Sequence, residues 1–282
     1  MERKKTGLTI IELLIVLGII AILTSLLIPA LSVVRNTARD AKQRAQFSTI
    51  DLGLSAFKND YGDYPPSSWT PQELTGDYCG AQKLAEALLG WDLLGFHPNS
   101  AWRSDGLDSA DGTLAYDPAQ TRDVDGDGVP DSLNERKGPY LELASSNAFK
   151  LGDLFVNTAP LAPNTFVLCD VFGARSVQLS NGKTVKAGAP VLYYKANSSE
   201  KIIGGIYNVL DNQAIVMAKQ QSDGLEHLLG NSANQYEFFY NYISDPKINA
   251  RVWPYRPDSY ILISAGVDGL YGTRDDIRNF GN

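Results

Sequence analysis

Residues 8–31 read LTIIELLIVLGIIAILTSLLIPAL, and the reading of the whole chain turns on them. The run has 24 residues and a single charge, Glu12. As a helix it measures about 36 Å, against about 30 Å for the hydrocarbon core of a bilayer. Arg3, Lys4 and Lys5 precede it. A basic flank keeps the N-terminus in the cytoplasm and sends the downstream chain across the membrane. Three readings compete. One is a cleavable secretory signal, with Ala30 and Ser32 as the small residues at a cleavage site. Another is a plain signal anchor. Both leave Glu12 unexplained, although a carboxylate costs roughly 2.5–3.5 kcal/mol at the centre of an inserted helix and by default marks a function.

The third reading accounts for Glu12. Lys4-Lys5-Thr6-Gly7 followed by Leu8-Thr9-Ile10-Ile11-Glu12-Leu13-Leu14 resembles the class III leader of type IV pilins and of type II secretion pseudopilins. The resemblance implies that a prepilin peptidase cuts between Gly7 and Leu8 and methylates the new amine of Leu8. It implies that Glu12, fifth in the processed chain, pairs with the cationic N-terminus of a neighbouring subunit. Burying the two charges together offsets the cost of burying either alone.

Working outward, residues 32–61 continue without proline. Phe47, Ile50, Leu54, Phe57 and Tyr61 fall three and four apart, one apolar stripe that needs a sheet or helix over it. Arg35, Arg39, Lys42 and Arg44 form a basic patch. It reads either as a solvated helix face or as a surface for acidic neighbours or anionic lipid. Gly62 and Pro65-Pro66 end the helix. The expectation is therefore a leader at 1–7, a transmembrane assembly segment at 8–31, an amphipathic half-helix at 32–61 and a head at 62–282. The class is α+β: a pilin-like lollipop, its long N-terminal helix transmembrane in the first half and packed on a small antiparallel sheet in the second. Residues 80–89 read as a short helix. Residues 165–172, 191–196 and 259–264 read as strands. Residues 214–219 and 236–243 stay open between helix and strand. The region around 67–160 looks like a loop-rich insertion.

Net charge over the 282 residues is −7, which argues against a nucleic-acid binder driven by phosphate contacts. Two histidines and two cysteines exclude a four-cysteine or three-histidine zinc site and a dense disulfide framework. Cys79 and Cys169 read either as one disulfide outside the cytoplasm or as two buried thiols. Phosphate-loop, dinucleotide and nucleophile-elbow motifs are absent, and Ser198–Lys201 matches S-x-x-K without its companion motifs. No enzymatic activity is expected.

Two stretches point to calcium. Between Asp105 and Glu135 nine acids face one base, Arg122. Within them Asp123, Asp125, Asp127 and Asp131 occupy positions 1, 3, 5 and 9 of an EF-hand-like loop, with Gly128 at 6 and the Val129 carbonyl at 7. Asn134 replaces the bidentate glutamate at position 12, and Glu135 comes one place late. This loop also resembles the calcium repeats of dockerin and thrombospondin type 3 modules. Near the C-terminus, Ser264-Ala-Gly266-Val-Asp268-Gly269-Leu-Tyr-Gly272-Thr-Arg-Asp275-Asp276-Ile277 resembles the terminal loop of the type II secretion major pseudopilin. That resemblance implies one calcium held by aspartates and backbone carbonyls, with Asp268 and Asp276 the leading ligands and Asp275 next.

The resemblance thus implies a structural subunit that polymerises into a fibre with itself and with other pilin-like subunits. The prepilin peptidase would process it, and an inner-membrane platform and a cytoplasmic ATPase would drive assembly. The head would lie in the periplasm, or outside the cell after assembly. The secretion pseudopilin is preferred over an adhesive, motility or DNA-uptake pilin. A reading from another class is a secreted or anchored calcium-dependent binding module or hydrolase.

Overall fold

The computed structural model describes residues 9–72, 74–109, 112–116, 131–173, 175–179, 182–230 and 234–281, without the side chains of residues 26, 29, 30, 32, 131 and 132. The chain falls into two compact bodies, residues 1–41 and 42–282.

Helix α1 (Ile10–Tyr61) is 52 residues long. In the first body its described large apolar side chains stand in solvent, from Val16 at 48% to Ile10 at 85% exposure. Thr24 and Ser25 donate their hydroxyls back to the Ile20 and Ile22 carbonyls, at 2.8 and 2.7 Å. Polar groups inside this run are thereby satisfied without any outside partner. The transmembrane expectation is corrected here: among the described residues no helix is long and apolar enough to cross a membrane. The apolar stretch described side chain by side chain, residues 10–25, has 16 residues. Sixteen residues rise about 24 Å, short of the roughly 30 Å of hydrocarbon, and Glu12, Thr24 and Ser25 dilute the stretch. With the transmembrane half goes the lollipop of anchored stalk and head.

In the second body α1 does what its stripe predicts. Phe47, Ile50 and Leu54 are buried in one cluster with Leu84 and Leu88, Tyr193, Tyr260 and Leu262, and Ile277. Phe57 packs instead on Phe96, with ring centroids 5.0 Å apart. The helix stops at Gly62, whose φ of 85° suits a residue without Cβ and whose N–H caps the Lys58 carbonyl at 2.8 Å.

Helix α2 (Gly80–Leu89) is the short helix expected from the sequence, buried along its entire length. It therefore belongs to the core, although it lies in the stretch that reads as an insertion. The short helices α3 (Asp131–Asn134) and α4 (Leu151–Leu154) come next. Strands β1 (Ala148–Lys150) and β2 (Phe166–Leu168) pair antiparallel, as do β3 (Arg175–Gln178) and β4 (Thr184–Ala187). A third antiparallel sheet joins β5 (Leu192–Lys195), β6 (Tyr260–Ser264) and β7 (Ile277–Arg278) in that order. Its register sets Tyr193 opposite Leu262 and Ser264 opposite Ile277. Side chains alternate across a strand. Tyr193, Tyr260, Leu262 and Ile277 accordingly face the α1 and α2 cluster, while Leu192, Tyr194, Ile261 and Ile263 join the second core. A strand covered on both faces reads as a continuous apolar run, which is why LYYK and YILIS stand out. On that second face lie α6 (Gln213–Asp223) and α7 (Gln235–Ile243), the two stretches the sequence left open, preceded by α5 (Ile203–Ile206).

Candidate functional site

The first candidate is the start of α1. Thr9 donates its N–H and its hydroxyl to Glu12 Oε2, at 2.9 and 2.8 Å, and the Glu12 N–H donates to Thr9 Oγ1 at 3.3 Å. This is a reciprocal capping box: it satisfies amides at a helix start that have no partner within the helix. The Thr9-x-x-Glu12 spacing carries that signal in the sequence, yet the reading of Glu12 as an assembly residue passed over it. One carboxylate oxygen is engaged by Thr9; the structure gives Oε1 no partner among the described residues. Gly7 and Leu8 lie outside the described residues, so the cleavage and methylation positions carry no geometry.

The second candidate is the terminal loop between β6 and β7. Gly266, Gly269 and Gly272 adopt positive φ of 64°, 73° and 96°. At Gly266 and Gly272 this is obligatory: a Cβ at Gly266 would collide with the Asp275 backbone, and one at Gly272 would come within 2.8 Å of Leu228 Cβ. The turn so formed brings two of the three expected aspartates together. Asp275 Oδ2 accepts the Asp268 N–H at 2.9 Å, and Asp268 Oδ1 accepts the Leu270 N–H at 2.8 Å. Partial burial pushes the Asp268 carboxyl up, and the neighbouring Asp275 adds to the shift. Burial acts on Asp275 in the same sense, but the Thr273 hydroxyl at 2.5 Å and the Asp268 N–H outweigh it and hold Asp275 low.

Asp276 points inward. Its Oδ2 accepts the Gly272 N–H at 2.8 Å and the Tyr242 hydroxyl of α7, and burial pushes its carboxyl up to about 7. It works as a strut between the loop and α7. Tyr242 was not legible as its partner, because it lies 34 residues away in a stretch whose secondary structure stayed open. Tyr271 anchors the same loop: it is fully buried, its hydroxyl donates to the Pro190 carbonyl at 2.5 Å, and its N–H donates to His227 Nδ1 at 3.1 Å. Burial lowers the His227 pKa, which suits a neutral ring accepting from an amide. Asp170 closes the base of the loop, accepting the Ser264 hydroxyl at 3.0 Å and the Ala189 N–H at 3.1 Å.

The donor chemistry of the loop suits a hard cation in part. Two carboxylates face each other beside a glycine-turned backbone, whereas the third is engaged by tyrosine. Among the described residues no group of three or more acidic, histidine or cysteine side chains could hold a metal ion. Of the other expected loop, Asp123, Asp125, Asp127 and Val129 lie outside the described residues, as does the side chain of Asp131, whose backbone opens α3. Cys79 and Cys169 are free, buried thiols. Cys79 stands at the N-cap of α2, where its N–H donates to Gln82 Oε1 at 2.8 Å. His97 is buried, with Nε2 3.4 Å from Glu135 Oε2. No protein-family model, no curated protein and no solved structure matches the chain.

Proposed function

We propose that the protein is a structural subunit of a pilin-like fibre, of the type II secretion pseudopilin kind, cut after Gly7 and polymerised through the first half of α1. One observation carries the reading: the large apolar side chains described between Ile10 and Val34 stand exposed around the helix. Soluble monomers rarely leave contiguous apolar patches beyond a few hundred Å² uncovered. The same segment on neighbouring copies is the cover always at hand, and repeated contacts that do not close give a helical filament. The leader resemblance adds the processing step, and the terminal-loop resemblance tips the reading from a type IV pilus subunit to a secretion pseudopilin. In this reading the chain performs no chemistry of its own. Prepilin peptidase, an inner-membrane platform and a cytoplasmic ATPase are its processing and driving partners, other pilin-like subunits its companions, and the head works outside the cytoplasm.

Calcium belongs to the same proposal. Asp268 and Asp275 would hold the ion, which supplies positive charge between two carboxylates that otherwise repel. The chain's own part is to orient them: Thr273 fixes Asp275, Gly266 admits its backbone, and Asp276 and Tyr271 tie the loop to the core.

Intact mass and N-terminal sequencing of the protein from its native cells test the reading. An N-methylated Leu8 as first residue is the expected result. A chain beginning near Val33, or retaining Met1, would mean that no prepilin processing occurs and would overturn it.

A further inference from the structure

The second body holds a cavity of about 200 Å³ where β7 meets α1. Arg44, Phe47, Ser48 and Asp51 line it from the helix, and Arg278 of β7 and the following Asn279 line it from the sheet. The four helix positions are three and four apart, so they share one face. Two positive charges thus stand in one small space against a single negative one.

Both guanidinium groups are unspent. Among the described residues neither that of Arg44 nor that of Arg278 has an ion pair or a hydrogen bond. Arg278 is nevertheless held in place: its Cζ lies 4.8 Å from the Tyr242 ring centroid and 5.1 Å from that of Phe280. Contact with ring faces orients the guanidinium and leaves its N–H groups available. Asn279 adds to the same field. Its Oδ1 accepts the Leu262 N–H at 2.8 Å, which sets the orientation of the amide, and its buried Nδ2 has no acceptor among the described residues. The positive end of that dipole is therefore uncompensated beside the cavity. Two planar forks of donors suit the oxygens of an oxyanion.

Asp51 selects among oxyanions. Its Oδ1 accepts the Tyr260 hydroxyl at 2.7 Å, and Oδ2 has no partner among the described residues. A carboxylate oxygen in the cavity repels any anion without a hydrogen to donate, which covers sulfate, a phosphodiester and another carboxylate. It accepts a hydrogen bond from an anion that keeps one. At about pH 7.5 a phosphomonoester has lost its second proton, whereas inorganic phosphate retains a P–O–H.

We infer that this cavity binds inorganic phosphate, with Arg44 and Arg278 on its charged oxygens and its remaining O–H donating to Asp51. The inference is independent of the fibre reading, because every residue in it belongs to the second body.

Calorimetric titration of the full-length chain, kept in detergent at that pH and at fixed ionic strength, compares inorganic phosphate with sulfate and glycerol 3-phosphate. Saturable binding of phosphate is expected, roughly tenfold or more tighter than either comparison anion, the effect of one hydrogen bond to a charged group. Arg44 lies on an exposed stretch of helix, so Arg44→Gln should weaken phosphate binding roughly tenfold and leave the melting temperature unmoved. Arg278→Gln should weaken it at least as much. Asp51→Asn keeps an acceptor for Tyr260 and removes the repulsion, so it should admit sulfate and close the gap between the two anions. Equal binding of phosphate and sulfate by the wild type, wild-type phosphate binding by Arg44→Gln, or no saturable binding at all would each overturn the assignment.

Discussion

Asp211 shows how much a single buried carboxyl can say about the head. It is 5% exposed, accepts the Ser67 hydroxyl at 2.5 Å, and burial pushes its pKa up to about 6 despite Ser67 and the Lys83 charge. An unfolded aspartate titrates near 3.9, so the folded chain holds this proton over a wider range than the unfolded one. The stability it contributes is complete below about pH 4 and is lost as pH rises through about 6. Glu86, buried under the Ser100 and Tyr116 hydroxyls, is shifted in the same direction by the same cause. Asp211→Asn keeps an acceptor for Ser67 and has no proton to lose. Its melting temperature should vary less than the wild type's between pH 4 and 6, and at pH 7 it should be more stable by about 1–3 kcal/mol. Thermal melts across that range check this; a wild-type dependence carried over unchanged would remove Asp211 as the source.

At the scale of elements, α2 and β5 meet at close quarters. A Cβ on Gly80 would run into the Tyr193 carbonyl oxygen and come within 3.0 Å of Asn212 Nδ2. Asn212 is committed on both sides: its Nδ2 donates to the Tyr193 carbonyl at 2.6 Å and its Oδ1 accepts the Ala81 N–H at 2.8 Å. The collision involves backbone, which cannot swing aside as a flexible side chain does. Gly80→Ala, favourable for a helix in isolation, should therefore destabilise the head by about 1–3 kcal/mol, the usual cost of overpacking a core. Chemical denaturation measures this; a neutral or stabilised variant would mean that α2 is free to shift. The α2 helix itself was readable from the periodicity of Leu84, Leu88 and Leu89. Its place in the core was not, because the glycine-rich and acidic residues around it read as an insertion.

For the molecule as a whole, the calcium proposal makes a separable claim. Ions that bind only the folded chain stabilise it by mass action, about 1.4 kcal/mol at ten times the dissociation constant. Extracellular calcium modules bind with constants on the order of 10⁻⁴–10⁻³ M. Millimolar calcium should therefore raise the melting temperature, EGTA should reverse the rise, and Asp268→Asn should abolish most of it if the terminal loop is the site. Identical melts in calcium and EGTA would dispose of the calcium role without touching the fibre reading, which rests on the exposed helix.

By itself the sequence determined the elements that depend on local pattern. Stripe spacing from Phe47 to Tyr61 determined the buried face of α1, and continuous apolar runs marked β5 and β6. Glycines at Gly266 and Gly272 marked a turn that no other residue could make. The length and hydropathy of residues 8–31 also argued for a membrane span, and there the pattern misled: among the described residues no helix is long and apolar enough to cross a membrane. Only the tertiary structure decided the partners. It set Tyr242 on Asp276, His227 under Tyr271 and Asn212 between α2 and β5. It also brought Asp268 to Asp275 and turned Asp276 away. The physical reason is that spacing specifies which side chains share a face, whereas the orientation of a carboxylate depends on which donors distant segments bring within about 3 Å.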